Sequence, residues 1–551
     1  MNCVPRRWRS ALTALLLACS VAAAQHQHHE AGQGPKPAEL LEGLGNHSHP
    51  IRTTSTESQR FFDQGLALIY GFNHDEAARL FARAAELDPK SPMPHWGIAL
   101  ALGPNYNMPP MPEREKKAWE AIEQAVALSK AAPEAERDYV QALVRRYSRD
   151  PNADRKGLAV DYREAMRSVS AKHPDDLDAA TLYAESIMNL RPWQLWSAAG
   201  EPAEGTLEAV GLLERVLRRN PEHPGANHYL IHALEASPAP ERALPSATRL
   251  GSLMPGAGHM VHMPSHIYIR LGDYRRSVDV NVLAARVDEN YIRRTGAKGA
   301  YPLMYYSHNL HFVSYAQMYQ GREEDALDYA RRLRGNVTGA IDDMSMLVPY
   351  GAFEWLVMTT FGRWDDILKQ PEPKEKSAFL HALYRYARGA AFAGKGSARE
   401  AEAERERLQS LESRIPETET AMINNARSLV AIGLADLEAR ISRCKGDGAS
   451  EVSHLKRAVE MQDRLAYMEP PEWHSNTRTA LGGALLRAGK ASEAEAVFRK
   501  DLELNPRNAR SLFGLMKALE GQSKVDAVHW VKQEFSQAWE NATASLTVES
   551  L

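Results

Sequence analysis

From about residue 57 onwards, apolar residues recur every three or four positions along the chain, and Gly or Pro interrupts the pattern at short intervals. Residues at this spacing share one face of an α-helix, so the pattern is typical of amphipathic helices. Little of the chain alternates apolar and polar residues with a period of two, which is the pattern of a half-buried strand. The sequence therefore predicts an all-α protein of short connected helices, with no β domain.

Two distant stretches of this pattern share the same spacing of small, aromatic and proline residues. They are FFDQGLALIYGFNHDEAARLFARAAELDPKSP and TRTALGGALLRAGKASEAEAVFRKDLELNPRN. The shared positions are Gly65, Ala77, Phe81 and Pro89 in the first stretch and Gly482, Ala494, Phe498 and Pro506 in the second. The offsets agree, since 77 minus 65 equals 494 minus 482, and 89 minus 77 equals 506 minus 494. Weaker units lie between them at a spacing of about 34 residues, and a fixed period of this size indicates stacked helical repeats.

These small, aromatic and proline positions resemble the tetratricopeptide repeat (TPR), in which small residues lie where paired helices touch and Pro follows the second helix. The resemblance extends over most of residues 57–535, with degenerate repeats in the centre. It implies a right-handed α-solenoid in which helix pairs stack in sequence order around a concave groove. The phrases HWGIALALGPNYNMP and GHMVHMPSHIYIR are similar to a family of long, exported and largely uncharacterised bacterial TPR proteins.

The first 24 residues have the composition of a secretory signal peptide, with three arginines, an apolar stretch over residues 11–24, and small residues at Ala22 and Ala24. Cleavage near Ala24 predicts an exported protein of the periplasm, and a secreted protein is an alternative. A second alternative is a lipoprotein signal, because the phrase LLAC places Cys19 where a lipid anchor would be attached. No other stretch reaches the length of about 18 apolar residues that spans a bilayer.

The remaining chain is predicted to consist of an arm, two solenoid halves and a tail. Residues 25–56 contain QHQHHEAGQGPKP and GNHSHP and lack helical periodicity, which predicts a flexible His-rich arm. This arm is either a solvated linker or a tail that gathers metal ions through its imidazoles. Residues 57–300 and 301–540 are the N-terminal and C-terminal TPR-like halves, and residues 541–551 form the tail.

Composition and charge restrict the partners and cofactors of the protein. The chain has 67 Lys and Arg against 70 Asp and Glu, and no long basic run with interleaved aromatics follows the N-terminus, which disfavours nucleic acid as a partner. Beyond the signal peptide only Cys444 remains, so no internal disulfide is available and a metal site has to use His, Met or carboxylates. No Gly-rich phosphate loop is present, and no nucleotide or organic cofactor is indicated.

Histidines occupy equivalent positions in three successive central repeats. The tight-turn positions Ala243, Ser277 and Ala326 align these repeats. Counting back fifteen residues from these three positions gives His228, His262 and His311. Counting back eleven residues gives His232, His266 and Tyr315, and counting back eighteen residues gives Gly225, His259 and His308. Core histidines scattered at random would not align in this way, so we expect one shared site.

Helical spacing places these side chains on common faces. The two sets are His228, His232 and Glu235 at i, i+4 and i+7, and His259, His262 and His266 at i, i+3 and i+7. The TPR resemblance implies that the first helix of each pair lines the concave groove, which would then hold up to seven imidazoles and a carboxylate. Pro264 complicates the second set, because Pro inside a helix kinks it or begins a new helix.

A bound cation explains such a cluster better than packing does, because adjacent buried imidazoles each need a partner and repel one another when protonated. The predicted metal ligands are His228, His232, Glu235, His259, His262, His266, His308 and His311, and the further groove residues are Met260, Met263, Tyr268 and Tyr315. Imidazole suits copper, zinc and iron, and thioethers in the groove would favour copper, although methionines also fill gaps in cores. The alternatives are an organic or peptide ligand, or a hydrogen-bonded structural network.

Three functions are compatible with a His-rich solenoid. The chain is predicted to be an exported binding protein that holds a protein or peptide segment in its groove, or one that handles transition metal there. The alternative is a metal-dependent hydrolytic or oxidative enzyme that uses the same His/Glu groove. Fold alone does not choose among them, because function depends on the site, and the sequence leaves open whether the protein is an enzyme.

Overall fold

The computed structural model describes residues 38–551, and within them every element of regular structure is helical. Three isolated β-bridges occur in this part of the chain, but no strand. The predicted all-α fold without a β domain is therefore confirmed for these residues. The predicted signal peptide and the first part of the predicted arm lie outside the described residues. No helix between residues 38 and 551 is both long enough and apolar enough to cross a membrane.

The described chain forms two compact units, the N-terminal unit of residues 38–309 and the C-terminal unit of residues 310–551. The helices of the N-terminal unit are α1 (Thr56–Tyr70), α2 (His74–Leu87), α3 (Pro92–Leu102), α4 (Pro112–Ser129), α5 (Glu134–Val144), α6 (Arg155–Lys172), α7 (Leu177–Met188), α8 (Thr206–Arg219), α9 (Pro224–Leu234), α10 (Leu244–Leu253), α11 (Gly258–His262), α12 (Pro264–Arg270) and α13 (Tyr274–Thr295). A 3₁₀ turn at Pro240–Ala243 precedes α10, and a π-helical turn at Tyr301–Tyr306 follows α13.

The next helix along the chain, α14, begins just before the C-terminal unit. From there the helices are α14 (Ser307–Tyr319), α15 (Glu323–Val337), α16 (Val348–Phe361), α17 (Trp364–Lys369), α18 (Ala378–Gly394), α19 (Ala398–Glu412), α20 (Ala426–Cys444), α21 (Gly448–Gln462), α22 (Thr477–Arg487), α23 (Ala491–Leu504), α24 (Ala509–Glu520) and α25 (Val525–Ala538). Short 3₁₀ turns lie at Thr338–Ala340, Ser345–Leu347 and Val548–Ser550.

Each unit packs a fully buried phenylalanine ring between two glycines on neighbouring helices. In the N-terminal unit, the ring of Phe81 on α2 fills the space beside Gly65 on α1 and Gly97 on α3. A Cβ atom would lie 2.6 Å from this ring at Gly65 and 2.5 Å at Gly97, which is closer than real contacts allow. The equivalent residues of the C-terminal unit are Phe498, Gly482 and Gly514. The small and aromatic positions found in the sequence are therefore helix-packing positions, as in TPR-type pairs.

Local sequence signals begin and bend the helices that carry the predicted site. His223 caps α9, because its Nδ1 accepts the backbone N–H of Ala226 at 3.2 Å. Pro264 begins α12, where a missing N–H costs nothing. Met263, between α11 and α12, keeps right-handed helical dihedral angles, with φ −52° and ψ −33°. The helical phase therefore continues through Pro264, so the histidines before and after it remain on one side.

Residues 38–55, which the sequence assigns to a flexible arm, pack against the first helices without forming a helix themselves. Two apolar side chains of this segment, Leu44 and Ile51, are buried. The backbone N–H of Ile51 donates to Gln59 on α1, and that of His49 donates to Asp63 on the same helix. Satisfied backbone groups and buried side chains hold this part of the arm in place, and neither is visible in a hydropathy pattern.

Replacing Gly97 by Ala is expected to lower the free energy of unfolding by roughly 1–3 kcal/mol, because the added Cβ would meet the Phe81 ring in a well-packed core. Replacing Gly211 on α8 by Ala is the matched control, since only Arg215 lies near its Cβ position. The control should raise the free energy of unfolding by roughly 0.5–1 kcal/mol through helix propensity. Urea unfolding followed by circular dichroism measures both, and equal effects would contradict the packing role of Phe81.

Candidate metal site

Six histidines of the N-terminal unit converge from three helical segments. They are His228 and His232 on α9, His259, His262 and His266 on α11 and α12, and His308 at the start of α14. The first five are 0–4% exposed, and His308 is half-buried. The helical spacing seen in the sequence therefore does bring these rings together. The side chains are buried, however, whereas the sequence places them along an open groove.

The first histidine triad consists of His228, His232 and His259. One ring nitrogen of each lies within 4.8 Å of a ring nitrogen of the other two. Nε2 of His228 and Nε2 of His259 are 3.1 Å apart. Nε2 of His232 is buried and has no hydrogen-bond partner among the described residues. Three imidazole nitrogens at these separations match the donor set that transition-metal ions prefer.

The second histidine triad consists of His262, His266 and His308, and its ring nitrogens also lie within 4.8 Å of one another. Nε2 of His262 and Nε2 of His266 are 2.9 Å apart. The ring of His308 lies 4.8 Å from the ring of His262, measured between centroids. The two triads adjoin, because the rings of His259 and His262 are 5.7 Å apart. The structure thus offers two neighbouring sets of three imidazoles.

Hydrogen bonds determine which nitrogen of each ring carries the hydrogen. Nδ1 of His228 lies 2.5 Å from the backbone carbonyl oxygen of Tyr70, and a carbonyl only accepts, so Nδ1–H is the donor. Nδ1 of His262 lies 2.6 Å from Oδ1 of Asn281, whose amide N–H donates to the carbonyl of Ser277. In a neutral imidazole the other nitrogen then carries the lone pair. In this tautomer Nε2 of each histidine carries the lone pair that a metal ion would use, and it lies within hydrogen-bond distance of Nε2 of a neighbouring histidine.

Glu235 orients one histidine of each triad. Its Oε1 accepts a hydrogen bond from Nδ1 of His232 at 2.9 Å, and its Oε2 lies 2.5 Å from Nδ1 of His266. Burial alone would raise the pKa of Glu235, but His266 and His232 lower it to about 2, so the carboxylate is ionised at neutral pH. The sequence predicts Glu235 as a metal ligand, whereas both of its oxygens bind Nδ1 atoms. A carboxylate in this position fixes the ring and makes the opposite nitrogen a stronger ligand.

Burial favours the neutral form of four triad imidazoles, those of His228, His232, His259 and His262. It lowers the pKa of His228, His259 and His262 well below 6.5, and neighbouring imidazoles lower it further. It also lowers the pKa of His232, although Glu235 opposes this shift. Neutral imidazole is the form that binds metal ions, because only a deprotonated ring nitrogen has a lone pair to donate.

Aromatic side chains surround the first histidine triad. Phe72 stacks on the rings of His232 and His259, with centroids 5.6 and 5.4 Å away. Tyr106 and Trp193 lie 5.1 and 5.7 Å from the ring of His232. Phe72 and Trp193 both have positive φ angles, of 55° and 62°, which are costly for residues other than glycine. Backbone strain of this kind clusters at functional sites, so the two residues mark the triad as a candidate site.

Two predicted site residues lie in the C-terminal unit and outside the triads. The ring of His311 packs against Tyr350 and Phe353 there, and burial lowers the pKa of His311 to about 3. Tyr315 is buried, with its ring 4.7 Å from that of Tyr319. Equivalent repeat positions therefore do not bring His311 into either set of three imidazoles.

The other predicted groove residues pack in the N-terminal unit. Met260 and Met263 are fully buried members of its hydrophobic core. Tyr268 lies under the guanidinium of Arg276, 5.8 Å from it. The two methionines thus fill gaps in the core, which is the alternative role that the sequence leaves open for them.

Three residues that support the triads carry no chemical signal in the sequence. Tyr70 and Phe72 belong to the phrase YGFNH, which indicates only the turn between α1 and α2. Asn281 lies within α13 and reaches His262 across 19 positions of the chain. Tyr70 is 158 positions away from His228, the ring that it holds. Such partners come together only through packing of the repeats, so no spacing rule identifies them.

No protein-family model matches the chain, and no curated protein is significantly similar to it in sequence. Similar solved structures include a human IFIT1 dimer with m7Gppp-AAAA, at 12% identity over 89% of this chain and 91% of that chain, with a TM-score of 0.33. Others are Cut9 in the APC/C hetero-tetramer Cut9–Hcn1 (11% identity, 85% and 78% covered, TM-score 0.31) and yeast Tom70 (10% identity, 87% and 93% covered, TM-score 0.27). These similarities are too weak to transfer an activity or a partner to this chain. The description of the helices as TPR-type pairs is based instead on the packing of Phe81 and Phe498 between glycines of neighbouring helices.

Proposed function

We propose that this protein is an exported TPR-type binding protein whose N-terminal unit holds transition-metal ions in its two histidine triads. The observation that carries the proposal is the direction of the ring nitrogens. The Nδ1 atoms of four histidines are directed to Tyr70, Asn281 and Glu235. Nε2 of His228 faces Nε2 of His259, and Nε2 of His262 faces Nε2 of His266. This arrangement directs several lone pairs at one buried region, and a bound cation would accept them.

The distances between the facing nitrogens support the same proposal. Nε2 atoms are 2.9 Å apart in His262 and His266 and 3.1 Å apart in His228 and His259. Two nitrogens bound to one ion at about 2.0–2.1 Å lie about 2.9–3.4 Å from each other at octahedral or tetrahedral angles. In a purely structural network one ring of each pair would instead donate its Nε2–H to the Nε2 atom of the other ring. One ion in each triad is the simplest occupancy.

The donor set favours borderline metal ions, and zinc, copper and iron all bind imidazole well. Because Met260 and Met263 are core residues, they supply little support for copper over zinc or iron. Glu235 acts outside the ligand set in this proposal, since it holds His232 and His266 in the tautomer that presents Nε2. Imidazoles also suit an exported protein, because thiolate ligands are prone to oxidation outside the cytoplasm.

The biological role that we propose is metal handling or the binding of a protein or peptide partner. Stacked helix pairs commonly present extended surfaces that bind protein segments. The proposed export to the periplasm rests on the sequence of residues 1–24, with secretion or a lipid anchor at Cys19 as alternatives. The triads and the helix-pair surface are separate features, so a metal ion and a partner could bind to the same molecule.

A metal-dependent enzyme is the second candidate function, and the surroundings of His232 favour it. Its Nε2 has no hydrogen-bond partner within residues 38–551, and Tyr106 and Trp193 form an aromatic wall beside it. A metal ion bound there would supply Lewis-acid or redox chemistry, while the aromatic wall would exclude water and orient a planar substrate. Azide binding to the Co²⁺-loaded protein tests this candidate, because a shift in the visible absorption spectrum requires an exchangeable coordination position.

Purified mature protein, stripped with a chelator and then titrated with Zn²⁺ or Cu²⁺, is expected to bind two equivalents tightly in the triads. Replacing His228, His232, His262 and His266 together by Ala should abolish this binding, because each triad loses two of its three imidazoles. His454→Ala is the control, since this histidine lies on α21 in the C-terminal unit. Metal analysis after gel filtration gives the stoichiometry, and a wild-type protein that binds neither ion would refute the proposal.

Replacing Glu235 by Gln should weaken metal binding by about 10–100-fold while leaving the stoichiometry unchanged. A neutral amide accepts only one of the two Nδ1–H groups and no longer strengthens the opposite nitrogens as ligands. Glu214→Gln is the matched control, because Glu214 forms an ion pair with Arg242 on the same unit, away from the triads. Competition with a chromophoric chelator measures both affinities, and an unchanged affinity in the Glu235 variant would contradict its orienting role.

A further inference from the structure

The N-terminal unit contains a cleft of about 1130 Å³. Its walls include His47, His49 and Asp178, none of which belongs to the triads. The charged lining is predominantly acidic, with Glu136, Asp175, Asp176, Asp178 and Glu222 against the single arginine Arg52. An acidic cleft with imidazoles on its wall favours the binding of cations over anions.

Asp178 on α7 is the centre of a hydrogen-bonded cluster on the cleft wall. Its Oδ1 lies 2.9 Å from Nε2 of His47 and 3.2 Å from Nε2 of His223, and its Oδ2 lies 2.9 Å from Nδ1 of His49. The hydroxyl of Tyr70 donates to Oδ1 as well. Burial alone would raise the pKa of Asp178, but the histidines hold it well below its ordinary value. The cluster therefore keeps a buried negative charge beside the cleft.

His223 orients the carboxylate of Asp178 and is not suited to be a metal ligand. Its Nδ1 accepts the backbone N–H of Ala226 at the start of α9, so Nε2 carries the hydrogen in the neutral ring. That hydrogen is directed at Asp178. Although His223, His47 and Asp178 place coordinating atoms within 4.8 Å of one another, the lone pair of His223 is already used in capping the helix.

His49 has a different environment, because carboxylates surround it. Its Nδ1 donates to Asp178 and its backbone N–H donates to Asp63. Coordinating atoms of His49, Asp176 and Asp178 lie within 4.8 Å of one another. The space between His49 and these aspartates therefore stabilises positive charge.

We propose that His49, Asp176 and Asp178 form a further metal site, separate from the two triads, which takes a divalent transition-metal ion at the wall of the cleft. Nδ1 of His49 and one oxygen of each aspartate are the ligands. In the metal-bound form Nδ1 of His49 gives its lone pair to the ion and the ring carries its one hydrogen on Nε2, so an imidazolium ring releases its Nδ1 proton to solvent and a neutral ring changes tautomer. His223 and Tyr70 donate to Oδ1 of Asp178, which leaves Oδ2 for the ion.

Asp176 is held in place for this role by contacts of its own. Its Oδ1 accepts the backbone N–H of Ala179 at the start of α7, and its Oδ2 accepts the hydroxyl of Tyr139 at 2.8 Å. Each carboxylate oxygen has two lone pairs, so either oxygen can also bind an ion. One nitrogen and two oxygens form a harder donor set than three imidazoles, which predicts weaker and more exchangeable binding than in the triads.

The test is a Zn²⁺ titration of the full mature chain in which His228, His232, His262 and His266 are replaced by Ala. One equivalent of Zn²⁺ is expected to remain bound to this variant, because the cleft residues are unchanged. Adding His49→Gln and Asp176→Asn should weaken that binding at least tenfold. Asn at position 176 still caps α7, which limits loss of stability. His173→Ala is the control, since this ring bonds to Asp138 and does not line the cleft.

A correctly folded triad-deficient variant that binds no Zn²⁺ would overturn the proposal, and so would a residual equivalent that survives both cleft substitutions. If the triad-deficient variant does not fold, the two cleft substitutions are made in the wild-type background. The wild type is then expected to lose one weakly bound equivalent, and an unchanged stoichiometry there would equally overturn the proposal. Failure of the proposed triad sites would be distinguishable from failure of the cleft site. In that case the wild type would bind a single equivalent of Zn²⁺, which is lost when His49 is replaced and kept when His228 is replaced.

Discussion

The candidate metal site depends on one buried carboxylate, that of Glu235, which contacts the Nδ1 atoms of histidines on two helices. A buried ionised group is costly unless its oxygens are paired and hydrogen-bonded, and Nδ1 of His232 and of His266 meets that requirement. The contact with Glu235 also fixes the tautomer of each ring, because a neutral imidazole that donates through Nδ1 carries its lone pair on Nε2. The charge of Glu235 thus decides the direction of the metal-binding lone pairs in both triads.

The end of the first helix supplies a second anchor of the same kind. A helix leaves its last carbonyl oxygens without partners inside the helix, and α1 ends at Tyr70. The carbonyl of Tyr70 accepts Nδ1–H of His228, while its hydroxyl donates to Asp178 at the cleft. The turn that follows places Phe72 over the first triad in a strained conformation. One turn between two ordinary repeat helices therefore supports both the first histidine triad and the proposed cleft site.

Much of the fold and part of the site are visible in the sequence. The glycine and phenylalanine positions that define the repeat are the packing positions of the structure, as Phe81 between Gly65 and Gly97 shows. Repeat alignment also selects the histidines of both triads. Equivalence in the repeat does not by itself place a side chain in a triad, since the ring of His311 packs against aromatic rings in the C-terminal unit. Repeat alignment likewise gives no indication that Asp178 contacts His47 and His49, which lie in a segment with no helical pattern.

The sequence by itself determined the helices, the repeat that stacks them, and the rows of histidines at equivalent positions. These properties depend on residues within about one repeat of each other, where helical geometry relates spacing directly to position. Only the tertiary structure decided which histidines form each triad, which ring nitrogen carries the hydrogen, and that Glu235 orients rings. These properties depend on hydrogen bonds across the fold, such as that between Tyr70 and His228 over 158 positions, and on burial, which makes each unsatisfied polar atom costly.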